Sequence, residues 1–153
     1  MSTPQTISEL IDPELVELRA PYANKLEVFH AVANRLAEKG AVSDPDAFVR
    51  DIQFRETQGK TGIGNLIAIP HAKSSAVNNP SVSVVVLDQE IEWETLDDAG
   101  VQGIILFAVN DQPEGAREHL RLLSLFARKL AHKEITDALI NASSTDDVVA
   151  AFA

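Results

Sequence analysis

Residues Gly59–Ala72 read G-K-T-G-I-G-N-L-I-A-I-P-H-A. Gly59, Thr61, Gly62 and Gly64 crowd into six positions. Glycine serves where the backbone needs positive φ or a close approach. Leu66–Ile69 is a short apolar run bounded by turn residues, which predicts a buried strand. Pro70 cannot donate to a central ladder, so the strand is expected to stop there. His71 is then expected to project from a strand end, where α/β sheets meet their ligands.

Outward from that stretch, the chain alternates strand and helix signals. Leu15–Leu18 reads as a first strand closed by Pro21. Asn24 with Glu27 forms a capping box, and the helix beyond it is expected to bury Leu26, Phe29, His30, Ala33, Leu36 and Ala37 on one stripe before Gly40 ends it. Asp44-Pro45 starts a second helix with Phe48, Val49 and Ile52 on its apolar side. Arg55 follows three residues later, near the buried stripe, and a guanidinium there calls for an anionic partner, permanent or transient.

Ser74–Pro80 is expected to be a polar loop. Ser81–Leu87 is a β-branched strand, Ile91–Trp93 a short edge strand, Asp97–Gly100 a turn and Val101–Val109 a central strand. A third helix is predicted from 114–116, with Ala116, Leu120, Leu123, Ala127 and Leu130 on its stripe and His119 beside them. Lys133–Ile140 and Thr145–Phe152, the latter capped by Ser143 or Ser144, complete the set. The pattern predicts an α/β fold: one domain over residues 1–153, with a mixed, mostly parallel β-sheet flanked by helices on both faces.

Composition narrows the function classes. A formal charge of −10 argues against nucleic-acid binding and suits docking to a basic protein surface. The sequence contains no cysteine, which removes disulfides, thiol nucleophiles and thiolate metal sites. No apolar run is long enough to span a bilayer, and the N-terminus lacks a secretory core, so a cytoplasmic location is expected.

Four histidines are candidates for chemistry. His30 reads as a partly buried helix residue and His132 as a surface one. His71 is either structural on its turn or reactive. His119, in the first turns of a helix, is either a buried helix-face residue or a donor where the macrodipole favours an anion. Two imidazoles without a third ligand make a weak metal site. No G-x-S-x-G elbow is present, and Phe54 stands where a G-x-x-x-x-G-K-[ST] loop needs its first glycine. What remains is a neutral imidazole acting as a nucleophile; the reference pKa of about 6.5 suits that role. Phosphoryl transfer asks for positioning and charge compensation, for which Arg55 and His119 are the candidate donors. No metal or cofactor is expected.

The same residues carry a resemblance. Arg55-Glu56 (R-E), Thr61–Asn65 (T-G-I-G-N), Ile67–His71 (I-A-I-P-H) and His119–Leu123 (H-L-x-x-L) occur in that order. With Leu10–Leu18 and the helix beginning at Asn24, they resemble the IIA domain of the phosphoenolpyruvate-dependent sugar phosphotransferase system, fructose/mannitol class, over nearly the whole chain. The resemblance implies that His71 accepts a phosphoryl group through Nε2. His119 would contact that group, Arg55 would balance its charge, and Thr61, Gly62 and Gly64 would line the substrate site. It also implies phospho-HPr as donor and a IIB cysteine as acceptor. No thiol is present here, so that acceptor is expected on another polypeptide. His71–Pro80 followed by Ile91–Trp93 is closer to fructose-type sequences than to nitrogen-regulatory ones, and sugar uptake, of fructose, is the expectation; the alternative is a regulatory protein whose phosphorylation controls partner binding. The family pattern has glycine where this chain has Leu66, a departure that bears on partner docking.

Overall fold

Val101–Asn110 forms the strand around which the others assemble. It is buried along nearly its whole length, as its unbroken apolar run requires of a strand covered on both faces. A computed structural model describes residues 11–152; within the third helix the side chains of residues 114–116, 118 and 119 lie outside that description. The strands are β1 (Val16–Ala20), β2 (Gly62–Gly64), β3 (Ile67–Ala68), β4 (His71–Ser74), β5 (Ser81–Ile91) and β6 (Val101–Asn110). The helices are α1 (Lys25–Glu38), α2 (Pro45–Glu56), α3 (Pro113–Leu130), α4 (Lys133–Ile140) and α5 (Thr145–Ala151), with a 3-10 turn at Pro13–Leu15.

Among the described residues these strands make one mixed sheet in the order β1-β5-β6-β3-β2, with β4 also on β6. The β1–β5, β3–β6 and β4–β6 pairings are parallel; β5–β6 and β2–β3 are antiparallel. Alternation along the strands supplies two cores. Ala68, Ala72, Val85, Ile104 and Leu106 pack with Val28, Phe29, Phe48 and Ile52 of α1 and α2. Ile67, Ile69, Val84, Ile105 and Phe107 pack on the other face with Phe126 and Leu130 of α3, Leu139 of α4 and Phe152 just after α5. Phe126 holds the second core together through edge-on contacts to Phe107 and Phe152, at 5.2 and 5.4 Å between ring centroids. The α/β layering with helices on both faces is as expected.

Several local readings need correction. Pro70 closes off β3 as expected, but pairing resumes just beyond it, which was not expected. It has no N–H to give, so β3 and β4 are separate strands, yet Ile67 pairs Gly103 and His71 pairs Phe107, the same offset on either side. Its carbonyl still accepts from the Phe107 amide at 3.0 Å. His71 therefore opens a strand and does not hang from the end of one. Ile91–Trp93 is no separate edge strand, because β5 runs on through Ile91. The buried stripe of α1 is Val28, Phe29, Val32, Ala33 and Leu36; Leu26 and His30 are exposed. The rotation follows from Val28 and Val32, which compete for the same face. α3 begins at Pro113, and Leu120 on it is exposed. In the polar loop after β4, Ala76 and Val77 are buried. Ile11, the first described residue, is buried.

Candidate functional site

The site is built at the edge of the sheet. β4 pairs with β6 on one side, and α2 packs against it. His71 shares register with Phe107, and Ala72, one residue on, enters the core beneath α1 and α2. α2 exists because Asp44 accepts from the Ala47 amide at 3.1 Å and Pro45 sits at its first turn. Phe48, Val49 and Ile52 fasten it to the sheet. That fixes the last turn, and with it Arg55, beside His71.

Among the described residues, hydrogen bonds from Arg55 and to Ile69 orient the His71 ring. Arg55 donates its Nε–H to Nε2 at 3.2 Å. Nδ1 lies 3.1 Å from the Ile69 carbonyl. A guanidinium only donates and a carbonyl only accepts. The two partners together therefore require a proton on Nδ1 and a lone pair on Nε2. Burial, the largest influence, holds the ring below its ordinary pKa; Arg55 and Lys73 push the same way, while the Ile69 carbonyl and Glu56 oppose. The ring is neutral near pH 7, with its Nε2 lone pair accepting from the Arg55 guanidinium.

Behind this pair sits a buried carboxylate, Glu56 of the R-E pair, to which the sequence assigned no role. The side chain of Glu56 is 7% exposed. Its Oε2 accepts from the Thr61 hydroxyl at 2.7 Å and its Oε1 from Lys25 Nζ at 3.0 Å. Thr61 in turn accepts from the indole N–H of Trp93 at 3.0 Å. Lys25 also pairs with Glu94 and lies 5.2 Å above the Trp93 ring. Burial pushes Lys25 down, but hydrogen bonds to Glu94 and Glu56 outweigh it and lift the ammonium above its ordinary value. No spacing rule links positions 25, 56, 61 and 93; only the tertiary fold brings them together.

The glycine loop is structural in its contacts. Thr61 is buried, and its hydroxyl is fully engaged by Glu56 and Trp93. A Cβ at Gly62 would lie 2.7 Å from the Glu94 carbonyl oxygen, so only glycine lets β2 lie against the 94–96 segment. Gly64 has φ +98°. Asn65 and Leu66 follow at φ 55° and 67°, a two-residue turn joining β2 to β3. Leu66 thus occupies a left-handed position that glycine fills without strain, at a hairpin tip five residues before His71. His119 lies in α3, and its side chain is outside the description. His30 and His132 are exposed and take no part. Among the described residues no helix is long and apolar enough to cross a membrane.

Comparison with known proteins agrees with this architecture. The family model for "Phosphoenolpyruvate-dependent sugar phosphotransferase system, EIIA 2" matches residues 9–153. The fructose-specific EIIA component of Haloferax volcanii is 32% identical over 142 residues, covering 93% of this chain and 91% of that protein. The nitrogen regulatory protein of Pseudomonas aeruginosa is 30% identical over 141 residues, covering 92% and 90%. Among solved structures, the nitrogen regulatory protein IIA-Ntr of Neisseria meningitidis superimposes with a TM-score of 0.86 at 25% identity, covering 96% of this chain and 99% of that one. The chain spans only 20% of the length of another relative, the 2-O-α-mannosyl-D-glycerate-specific EIIABC component of Escherichia coli.

Proposed function

The chain belongs to the EIIA 2 family of the phosphoenolpyruvate-dependent sugar phosphotransferase system, whose components are phosphotransferases, and from that premise we propose that it carries its phosphoryl group on Nε2 of His71. The observation that carries this reading is the opposed pair of hydrogen bonds on the ring, Ile69 at Nδ1 and Arg55 at Nε2. In the proposed step the Nε2 lone pair attacks the phosphorus of a donor phosphohistidine. The donor's P–N bond breaks and its electron pair leaves with the donor ring. The new P–N bond leaves His71 with its Nδ1 proton in place, hydrogen-bonded to Ile69. The phosphorylated ring is then cationic and departs as neutral imidazole in the onward transfer. No proton has to enter or leave the ring in either direction. Arg55 loses its lone-pair acceptor at the moment a dianionic group arrives, and its guanidinium turns to the new oxygens.

The donor in this reading is phospho-HPr and the acceptor a IIB cysteine. The charge of −10 supports docking to a basic partner. Phe54 and Leu120, next in sequence to Arg55 and His119, are large, apolar and exposed, which also supports a transient protein contact there. His119 would contact the transferred group from α3. Labelling with phosphoenolpyruvate, enzyme I and HPr tests the reading: an acid-labile, base-stable phosphoprotein is expected, and His71→Ala should abolish it.

Two physiological roles follow from one chemistry. Sugar uptake, of fructose, is supported by the Haloferax relative; regulation of partner proteins is supported by the nitrogen regulatory relatives in sequence and structure. Rapid passage of label to a purified fructose-type IIB supports the first. Absence of that transfer, with a partner bound in only one phosphorylation state, supports the second.

A further inference from the structure

We propose that Glu56 is a positioning residue for phosphoryl transfer: through Thr61 it holds the 57–61 loop in the shape that aims Arg55 at Nε2 of His71, with Lys25 as its counter-charge. This rests on His71 being the phosphoacceptor.

The argument is one of directed hydrogen bonds. The indole of Trp93 donates to the Thr61 hydroxyl, so the single hydroxyl proton is left for the Glu56 carboxylate, which can only accept. The order of donors is thereby set: Trp93 to Thr61 to Glu56, with Lys25 closing on the other oxygen. Thr61 is thus tied back to the last turn of α2. Between Glu56 and Thr61 the chain makes a tight return. The Gln58 amide donates to the Arg55 carbonyl at 3.0 Å, and the Gly59 carbonyl accepts from Arg55 Nη1 at 3.4 Å. The Gly59 carbonyl and His71 Nε2 thus hold two nitrogens of one planar guanidinium. Loosening Thr61 frees Gly59, and freeing Gly59 leaves Arg55 with a single anchor.

The far side of the loop is tied as well. The Gly62 amide donates to the Glu94 carbonyl at 3.2 Å, and Lys25 reaches both Glu94 and Glu56. A buried ion pair of this kind contributes little to stability compared with apolar packing. Its use is geometric: it joins the start of α1, the end of α2 and the 93–95 segment at one point beneath the reacting pair.

The test is a double-mutant cycle on single-turnover phosphorylation by phospho-HPr. Thr61→Val and Glu56→Gln should each slow transfer about tenfold at saturating donor, the size of effect expected when a reacting geometry loosens by a fraction of an ångström. The donor concentration giving half-maximal rate should not change. Thr61→Ser should restore the rate. In an Arg55→Ala background both substitutions should lose their effect, because they act through Arg55. Glu56→Gln keeps the shape but replaces one acceptor oxygen by an NH2 donor, so it cannot accept from Thr61 and Lys25 together, and the cycle can be closed on it if Thr61→Val fails to fold. A tenfold loss that persists without Arg55, or a loss confined to donor affinity, overturns the proposal. If the unsubstituted protein takes no label on His71, the phosphocarrier reading has failed instead.

Discussion

Arg55 donates its Nε–H to the Nε2 lone pair of His71 across 3.2 Å, so the atom that would attack phosphorus is masked by the group that would stabilise the product. The contact joins the last turn of α2 to the first residue of β4, elements that meet only because β4 lies at the sheet edge beneath that helix. Beside the larger effect of burial, this cation lowers the proton affinity of the ring, and it lies where negative charge would appear in the proposed transfer.

Removing that cation should be costly. Arg55→Ala is expected to slow labelling of His71 about a hundredfold, the usual loss when one preorganised donor to a developing charge is deleted. It should also raise the titration midpoint of His71, since a lowering influence is gone. Quench-flow labelling and NMR titration of the ring measure the two effects. A normal labelling rate with a raised midpoint would separate the electrostatic role from the catalytic one and contradict the account.

The depressed pKa of His71 has a stability consequence with a definite sign. Between the folded value and the reference of about 6.5 the unfolded chain binds more protons than the folded one. The contribution is fully present above about pH 6.5 and is lost as pH falls through the folded value. Denaturation midpoints across pH 5–7.5 should show this, and His71→Ala should remove that component. Labelling should likewise persist below pH 6.5. A His71 midpoint at or above 6.5 would contradict the burial argument.

His119 is expected to act on the transferred group without forming the bond to it. His119→Ala should slow passage of label to the acceptor by more than it slows uptake from the donor. Separate single-turnover measurements of the two steps decide the point; equal losses in both would count against this role.

Leu66 carries local strain. At φ 67° a branched aliphatic residue costs about 1–2 kcal/mol, part of which glycine returns as unfolded-state entropy. Leu66→Gly should therefore stabilise the protein by about 0.5–1 kcal/mol in urea denaturation. Labelling should be unchanged, since the hairpin tip lies at the opposite end of β3 from His71. A large change in labelling rate would place Leu66 in donor docking instead.

The legible parts of this chain were those governed by short-range rules. The Asn24 and Asp44 caps, the central strand Val101–Asn110 and the helix Lys133–Ile140 follow from residue type and spacing alone. Arg55 was legible because it falls beside the stripe Phe48–Ile52, and His71 because it follows an apolar run. Pro70 closed off β3 as read, but the resumption of pairing at His71 was missed, because the rule against proline in a ladder concerns its missing N–H, while its carbonyl still bonds β6. The α1 stripe was rotated by a residue because both candidate faces contain apolar groups. Lys25, Glu56 and Trp93 could not be linked by pattern at all, since their meeting depends on how α1, α2 and the 93–95 segment converge.

The most direct measurement is the chemical position of the label. Protein phosphorylated through phosphoenolpyruvate, enzyme I and HPr should show, by phosphorus and nitrogen NMR, one phosphoryl group on Nε2 of His71, with Nδ1 still protonated. A phosphoryl group on Nδ1, which the Ile69 carbonyl already occupies, or undiminished labelling of His71→Ala, would contradict the account.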